Sequence, residues 1–471
     1  MIFHGRKQEL AELKSAYSTD NFEGILVYGR RRIGKTELIK ESIRDFSGKM
    51  IYYEAKLVSE QSNLASFSEI IGAAYGIPQP NFPSFEKAVE FVFTRAADEK
   101  TILIIDEYPY LREKIEGCDS IFQSVIDRHI NSANLKLILC GSYIGTMVKL
   151  TQDSNPLFGR FSHKLKINQL DYYESAEFYP SFSPEDKVAL YSVFGGIPYF
   201  LQFIDENISV KENIISLIAS PQARLLSEIE QTLTGEIRKI SNANEVFSAV
   251  AAGYKKFADI LSHSHVSSSP TLADILRKLC EMEIIEKTYP INDEREKKSI
   301  YTISDRLTLF YFRYIYRHLS YFAVMNPEDF YNEFIEENFL RDFVPHCYEI
   351  IARQFLVRQN KAGKIRPVLY NIGKFYYDDP KNKCNGEFDL VTVSRDGYDF
   401  YEVKFTDKPV SDAVVNEEIS QLEKAGVNAN KLGFFSKSGF QISEMEKYIL
   451  YDIKDVYDVS RETFEGLGAR D

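Results

Sequence analysis

The sequence predicts an α/β fold in several domains, and three stretches carry that expectation. Gly29-Arg30-Arg31-Arg32-Ile33-Gly34-Lys35-Thr36 fits G-x-x-x-x-G-K-S/T at every position. Thr101-Ile102-Leu103-Ile104-Ile105 runs into two carboxylates, Asp106 and Glu107. Past residue 335 the pattern turns to strands, which carry Asp389 and the triplet Glu402-Val403-Lys404. A chain of 471 residues also exceeds one ordinary core, so about two to four domains are expected.

The flanks of the first stretch decide its meaning. Gly24-Ile25-Leu26-Val27-Tyr28 is a short apolar run of the buried parallel-strand type, and Glu37 to Ile43 places apolar residues at helical spacing. Strand, loop and helix are the context a phosphate loop requires. The amides from Gly29 to Gly34 and the positive end of the helix would cradle the phosphates of ATP. Lys35 would reach the β- and γ-phosphates, and Thr36 would offer its hydroxyl to Mg²⁺.

Composition narrows the class. Apolar content of 44% and charge of 27%, with 30 Tyr and 34 Phe, describe a chain that folds over most of its length. A net charge of -12 argues against indiscriminate nucleic-acid binding over the whole surface, while leaving room for a local basic site. The opening MIFHGRKQELAEL has no secretory apolar stretch, and no window of about 20 apolar residues follows, so no membrane association is expected. Cysteines 118, 140, 280, 347 and 384 lie far apart without C-x-x-C, which fits a reducing compartment and ordinary thiols. A cytoplasmic location is expected.

At the end of the second strand, Asp106 is placed to hold Mg²⁺, through water, and Glu107 to polarise the attacking water. A third apolar strand, Leu135 to Cys140, runs into Gly141-Ser142. Ser142 stands where it would sense the γ-phosphate or orient water, or else cap the next helix. Asn155-Pro156-Leu157-Phe158-Gly159-Arg160-Phe161 sets Arg160 in a loop. It would stabilise developing phosphoryl charge, in cis or from a neighbouring subunit, or simply pair with a surface carboxylate.

Together these motifs resemble the prokaryotic AAA+-related ATPases of the STAND type, a class also called archaeal ATPases. Phe3-His4-Gly5-Arg6 with Glu9-Leu10, GRRRIGKT, LIIDE, CGS, LFGRF and Gly195-Gly196-Ile197-Pro198-Tyr199-Phe200 occur in that family's order. The resemblance covers about residues 1–235. It implies that Arg6 lies near the nucleotide and that Pro198 packs toward the base; the residues alone show at Gly196 and Pro198 only a rigid turn before a helix.

Residues 241–310 read as a small helical unit closed by a hairpin. Asn244 to Tyr254 and Phe257 to Leu261 have helical periodicity, and Ser267-Ser268-Ser269-Pro270 opens a helix through Leu279. Ile284 to Tyr289 and Ser299 to Ile303 look like two wing strands around a charged turn. The segment resembles the winged-helix module that follows the ATPase in this family. Between 241 and 330 there are 11 Lys and Arg against 12 Asp and Glu, a net of -1. Arg277 and Lys278 stand against Asp274 and Glu281, and at the wing tip Lys297 and Lys298 against Asp293, Glu294 and Glu296. That is a weaker footprint than duplex binding usually shows, and an interdomain or protein contact is favoured. The aromatic run Phe310 to Tyr316, at helical spacing, reads as packing rather than as a base-stacking surface.

In the last part, Glu349 falls on a helix over Cys347 to Phe355. Strands are expected at Val368-Leu369-Tyr370, Gly386 to Val393 and Tyr398 to Phe405. Glu402 and Lys404, two apart, share one strand face. Asp389 and Glu402 would converge if the last two strands pair antiparallel, and would bind one or two divalent ions while Lys404 orients water or meets phosphate charge. Asp378-Asp379, beside the Pro380-Lys381-Asn382-Lys383 turn, reads as loop surface. The arrangement resembles the PD-(D/E)xK nuclease fold over roughly residues 335–460, with Glu349 on the preceding helix and Gln421 on a later one. Phe388 stands where that pattern has its proline. The resemblance extends to this family's C-terminal domain of unknown function.

The expected order is therefore an α/β P-loop NTPase core (1–175), a helical extension (176–240), a winged-helix module and linker (241–330), and a smaller α/β restriction-endonuclease-like domain (331–471). It suggests a Mg²⁺-dependent ATPase, bound to ATP or ADP, acting as a nucleotide-controlled switch for the last module. Two alternatives stand beside it: an ATP-responsive DNA-binding regulator, and a signalling scaffold with a catalytically inactive nuclease-like domain. DNA, RNA, a protein partner and a second copy of the chain all remain open as partners.

Overall fold

Five parallel strands form the first sheet: β1 (Glu23–Tyr28), β2 (Lys49–Glu54), β3 (Thr101–Asp106), β4 (Leu135–Gly141) and β5 (His163–Lys166). Their order is β2-β3-β4-β1-β5, so β4 lies between the phosphate-loop strand and the strand that ends in Asp106. Both faces are covered, which is why the central strands read as unbroken apolar runs. Ile25, Val27, Ile102, Ile104, Ile138 and Cys140 pack with Leu13, Ala16, Tyr17, Leu38 and Ile39 on one face. Leu26, Leu103, Ile105, Leu137 and Leu139 face the other way, toward Phe67, Phe85, Val89, Phe122 and Ile126. Each side chain buried in this way contributes roughly 1.5–3 kcal/mol.

This computed structural model describes residues 3–235, 237, 240–293, 295, 298–379 and 384–458. The chain divides into two units, Met1–Leu170 with Ile197–Tyr199, and Asp171–Gly196 with Phe200–Asp471. The first holds the parallel sheet.

In the second unit, helices Ala243–Ala251, Phe257–His263 and Ser269–Glu281 precede a hairpin of β6 (Ile285–Thr288) and β7 (Ile300–Ile303). The third helix opens as expected: Ser268 caps it by accepting from the Thr271 amide, with Pro270 in the first turn. This is the winged-helix-like region. Its tip residues Glu294, Glu296 and Lys297 lie outside the described residues, as does the turn 380–383. The aromatic run that follows is core: Phe310, Tyr311, Phe312, Tyr314 and Ile315 are all buried, so they form no stacking surface.

Helix Val344–Lys361 then leads into a mixed sheet of β8 (Asn371–Asp379), β9 (Cys384–Ser394), β10 (Gly397–Lys404), β12 (Lys431–Ser436) and β14 (Ile449–Asp452). A separate pair, β11 (Val410–Ser411) with β13 (Phe440–Gln441), lies beside it. The sheet order is β14-β12-β10-β9-β8, with β8, β9 and β10 antiparallel and β12 and β14 parallel to β10. One expected element moves. Val368-Leu369-Tyr370 is not a strand; the strand begins at Asn371 and includes Asp378, which had been read as loop. A bulge between Gly373 and Phe375 lets both Ile372 and Phe375 face inward, whereas Val368 and Tyr370, before the ladder begins, are exposed.

Candidate active sites

The phosphate loop leaves β1 at Tyr28 and enters helix Lys35–Ser42 at Gly34. Gly34 has φ 89, a left-handed conformation that favours glycine. Lys35 is buried, and its Nζ donates to the carbonyls of Gly29 (3.0 Å) and Arg30 (2.8 Å) and to Ser142 Oγ (3.0 Å). Burial lowers its pKa below the ordinary lysine value, opposed by Cys140, Glu107 and Asp106.

Asp106, at the end of β3, is a buried carboxylate ringed by donors. Thr36 Oγ1 (2.8 Å) and Tyr52 OH (2.7 Å) both donate to its Oδ2, and the Glu107 amide donates to Oδ1 (2.9 Å). Glu107 adopts φ 50, an uncommon left-handed conformation for a residue with a side chain. Its Oε1 accepts from Ser142 Oγ (2.8 Å), and its buried Oε2 has no donor among the described residues. Ser142 therefore links Lys35 to Glu107. It does not cap helix Ile144–Lys149, whose N-cap is Tyr143.

These residues fit ATP and Mg²⁺: a loop with a buried ammonium, a threonine hydroxyl on a carboxylate, and a second carboxylate with a buried oxygen free to accept a proton. Arg6 is buried beside the loop, its Nη2 donating to the carbonyls of Ile33 (3.1 Å) and Asn168 (2.6 Å). Pro198 adjoins the loop as well: a Cβ on Gly34 would lie 3.7 Å from its Cγ. Arg160 is held elsewhere, by Nε and Nη2 on the Asp127 carboxylate (3.1 and 2.8 Å) and by Nη1 on the Phe158 carbonyl. In this conformation its charge is spent on a surface pair. Tyr52, on the edge strand β2, escaped the sequence reading.

The second cluster gathers around β9 and β10. Their pairing runs from Gly397↔Ser394 to Tyr401↔Leu390, so Glu402 and Asp389 are the next residues on adjacent strands. Lys404 Nζ sits on the Glu402 carboxylate, and Lys374, on β8, sits on Asp389 and lies 3.1 Å from Glu387. Burial raises the Glu402 pKa; Lys404 opposes this, while the charges of Asp389 and Glu349 add to it. The expected residues Glu349, Asp389, Glu402 and Lys404 thus act on one another. Glu349 Oε1 is also 2.9 Å from His346 Nδ1. Gln421 Nε2 approaches the Glu387 carbonyl at 3.4 Å and lines an open groove with Tyr377, Asn416 and Glu417.

Two members of this cluster were missed, Lys374 and Glu418. Burial, then the Glu402 charge, push the Glu418 carboxyl up to about 7. Its signal was legible: Glu418 stands between Val415 and Leu422 at helical spacing on the inner face of Asp412–Ala425. The second divalent-metal site, expected at Glu349, Asp389 and Glu402, is not preformed. Among the described residues, no group of three or more His, Cys, Asp and Glu side chains is placed to hold a metal ion; lysines neutralise the carboxylates instead. Nor is any described helix long and apolar enough to cross a membrane.

Two family models match the chain. One, an ATPase domain predominantly from Archaea, matches residues 3–204; the other, described as Archaea bacterial proteins of unknown function, matches 311–420. The uncharacterized protein MJECL04 of Methanocaldococcus jannaschii is 30% identical over 410 residues, covering 86% of this chain and 88% of that one. Among solved structures, the Walker-type ATPase PABY2304 of Pyrococcus abyssi is 18% identical at a TM-score of 0.47, covering 66% of this chain and 96% of its own. The ORC2 protein of Aeropyrum pernix is 13% identical at 0.46, covering 66% and 92%. The P-loop sheet and the matching domain together make this an ATP-hydrolysing enzyme. By its identity and coverage, the chain belongs to the same family as MJECL04 and carries the predominantly archaeal ATPase domain over residues 3–204.

Proposed function

We propose that the chain is a Mg²⁺-dependent ATPase of STAND type whose nucleotide state controls a C-terminal nuclease-like module acting on nucleic acid. In this reading the chain holds a core over 1–175, a helical extension over 176–240, a winged helix and linker over 241–330, and a nuclease-like domain over 331–471. ATP supplies the phosphoanhydride to be cleaved, and Mg²⁺ neutralises charge on its phosphates. Lys35 turns from the loop carbonyls to the phosphates, Gly29 and Gly34 let the loop wrap them, and Thr36 with Asp106 holds the cation. Glu107 takes the proton of the attacking water, and Ser142 keeps it oriented. Arg6 steadies the loop from behind, and Pro198 flanks it on the base side. Arg160 contributes only once it leaves Asp127.

For the C-terminal module, one observation carries the reading: the β9–β10 register sets Asp389 beside Glu402, with Lys404 on the Glu402 carboxylate. The order of a helix, three antiparallel strands, a helix and a parallel strand fits a PD-(D/E)xK fold. In that role Asp389, Glu402 and Glu349 take up a divalent ion, and Lys404 meets the scissile phosphate. The test compares wild type with D389A/E402A on single-stranded, duplex and structured DNA and RNA, with Mg²⁺ or Mn²⁺, in each nucleotide state. Cleavage by wild type alone supports a nuclease; equal behaviour of the two removes it. A second reading, an interaction module with an inactive nuclease-like domain, is favoured by the lysines that already neutralise both carboxylates.

A further inference from the structure

The turn of the wing does not stand free. Ile291 N donates to the Lys374 carbonyl on β8 (2.7 Å). Asn292 clasps the next exposed peptide: its Nδ2 donates to the Tyr376 carbonyl (2.7 Å), and its Oδ1 accepts from the Tyr376 amide (3.1 Å). Lys298 lies over the Tyr376 ring, 3.8 Å from its centre, and 4.0 Å from the Asp378 carboxylate. Gly373 makes this approach possible, since a Cβ there would stand 2.7 Å from Ile291 Cγ2. β8 is the edge of its sheet, and an edge strand presents unpaired amides and carbonyls that a second segment can cover. Here the wing covers them.

The contact falls on the C-terminal site. The β8–β9 register slips between Gly373 and Phe375, and Lys374 is the residue at the slip. Its carbonyl is held by the wing, while its ammonium sits on Asp389. Lys374 thus stands between two carboxylates, on Asp389 and 3.1 Å from Glu387. A divalent cation approaching Asp389 meets that charge first.

We propose that Lys374 is the resident counter-cation of the C-terminal carboxylate site and that the docked wing holds it there. Undocking the wing then frees Asp389 and Glu402 for a divalent ion. The inference rests on the reading of that site as nuclease-like, and it deepens it by naming how the site is kept closed.

The experiment uses the full chain without nucleotide, measuring Mn²⁺ binding by calorimetry and amide exchange across Asn371–Asp379. Asp389→Asn defines the binding that belongs to this site. Lys374→Met should bind Mn²⁺ about tenfold tighter, since a competing charge is gone. Gly373→Val and the milder Asn292→Ala should speed amide exchange in β8 and tighten Mn²⁺ binding in the same direction. Lys374→Met added to Asn292→Ala should add little to Lys374→Met alone. Unchanged or weaker binding in Lys374→Met, with Asp389→Asn still abolishing it, overturns the counter-cation role and leaves the site reading standing. Faster β8 exchange without tighter Mn²⁺ binding, or no faster exchange in either wing variant, overturns control by the wing. Full Mn²⁺ binding by Asp389→Asn would instead defeat the site reading itself.

Discussion

Replacing Glu418 by Gln should stabilise the C-terminal sheet above neutral pH and matter much less in mild acid. The side chain is only 8% exposed, on the helix face that carries Val415 and Leu422. Burial, then the Glu402 charge, lift its carboxyl from 4.5 to about 7. The folded chain therefore binds this proton more tightly than the unfolded chain does. The stability it contributes is complete below about pH 4.5 and is lost as pH rises through 7. At about 1.4 kcal/mol for each tenfold change, the difference is about 3 kcal/mol, and residual contact with solvent reduces it to about 2. Gln keeps the shape and never ionises, so its advantage over Glu should grow by about 2 kcal/mol between pH 5 and pH 8. A chain of two units does not give one unfolding free energy. Hydrogen exchange of β9, β10 and helix Asp412–Ala425, followed as local opening free energies, reads the right region. An advantage that stays flat across pH, or a loss of protection at pH 8, would refute the reasoning.

Other outcomes follow from the nucleotide site. Lys35→Ala should weaken ATP binding in calorimetry by about a hundredfold, as a buried charged donor to phosphate is removed; unchanged affinity in the folded variant sinks the assignment. Glu107→Gln should bind ATP normally and lose about 10²–10⁴ in turnover. Tyr52→Phe deletes one donor to Asp106, so the Mg²⁺ dependence of ATP binding should shift several-fold while binding without Mg²⁺ stays as it was. Arg160→Ala should stay folded by circular dichroism, since its pair with Asp127 is a surface pair worth about 1 kcal/mol at most, while hydrolysis falls. Full turnover across a protein concentration series eliminates both a cis and a trans role.

How much was legible in the sequence depended on burial. β1, β3 and β4 are central, covered on both faces, and announce themselves as apolar runs. β2, with alternating exposure and charged ends, and β5, with two lysines in four residues, lie at the sheet's edges, so they went unread and Tyr52 with them. The phosphate loop, Asp106 and Glu107 were readable because their chemistry is written within a few neighbouring residues. The C-terminal cluster was only half readable. Asp389, Glu402, Lys404 and Glu349 follow from strand parity and one helix, whereas Lys374 depends on a bulge in a strand that was placed several residues too early. No local pattern reveals that Ile291 and Asn292 would cap that strand, because the contact joins segments some 80 residues apart.

The winged helix is where charge and geometry weigh most on function. Arg277 bonds Glu281 (2.6 Å) and Asp274 (2.7 Å), and Lys278 bonds Asp274 (2.6 Å). These are exposed surface pairs, weak enough to open for a phosphate. Opening it, however, leaves Asp274 and Glu281 on the same helix face, where they repel the backbone that the arginine and lysine would greet. Two cations and two anions add no net charge to this face, so it draws a phosphate backbone only weakly. Lys298, at the turn of the wing, already rests on Tyr376. For this module to hold duplex DNA as winged helices usually do, it would have to surrender both its internal pairs and its hold on β8. That hold, rather than DNA, is the better account of why the wing is built as it is. Its consequence is measurable: Arg277→Ala with Lys278→Ala should leave duplex DNA binding by the full chain within twofold of wild type across a salt series, whereas a parallel drop in affinity and salt slope would return the recognition helix to DNA.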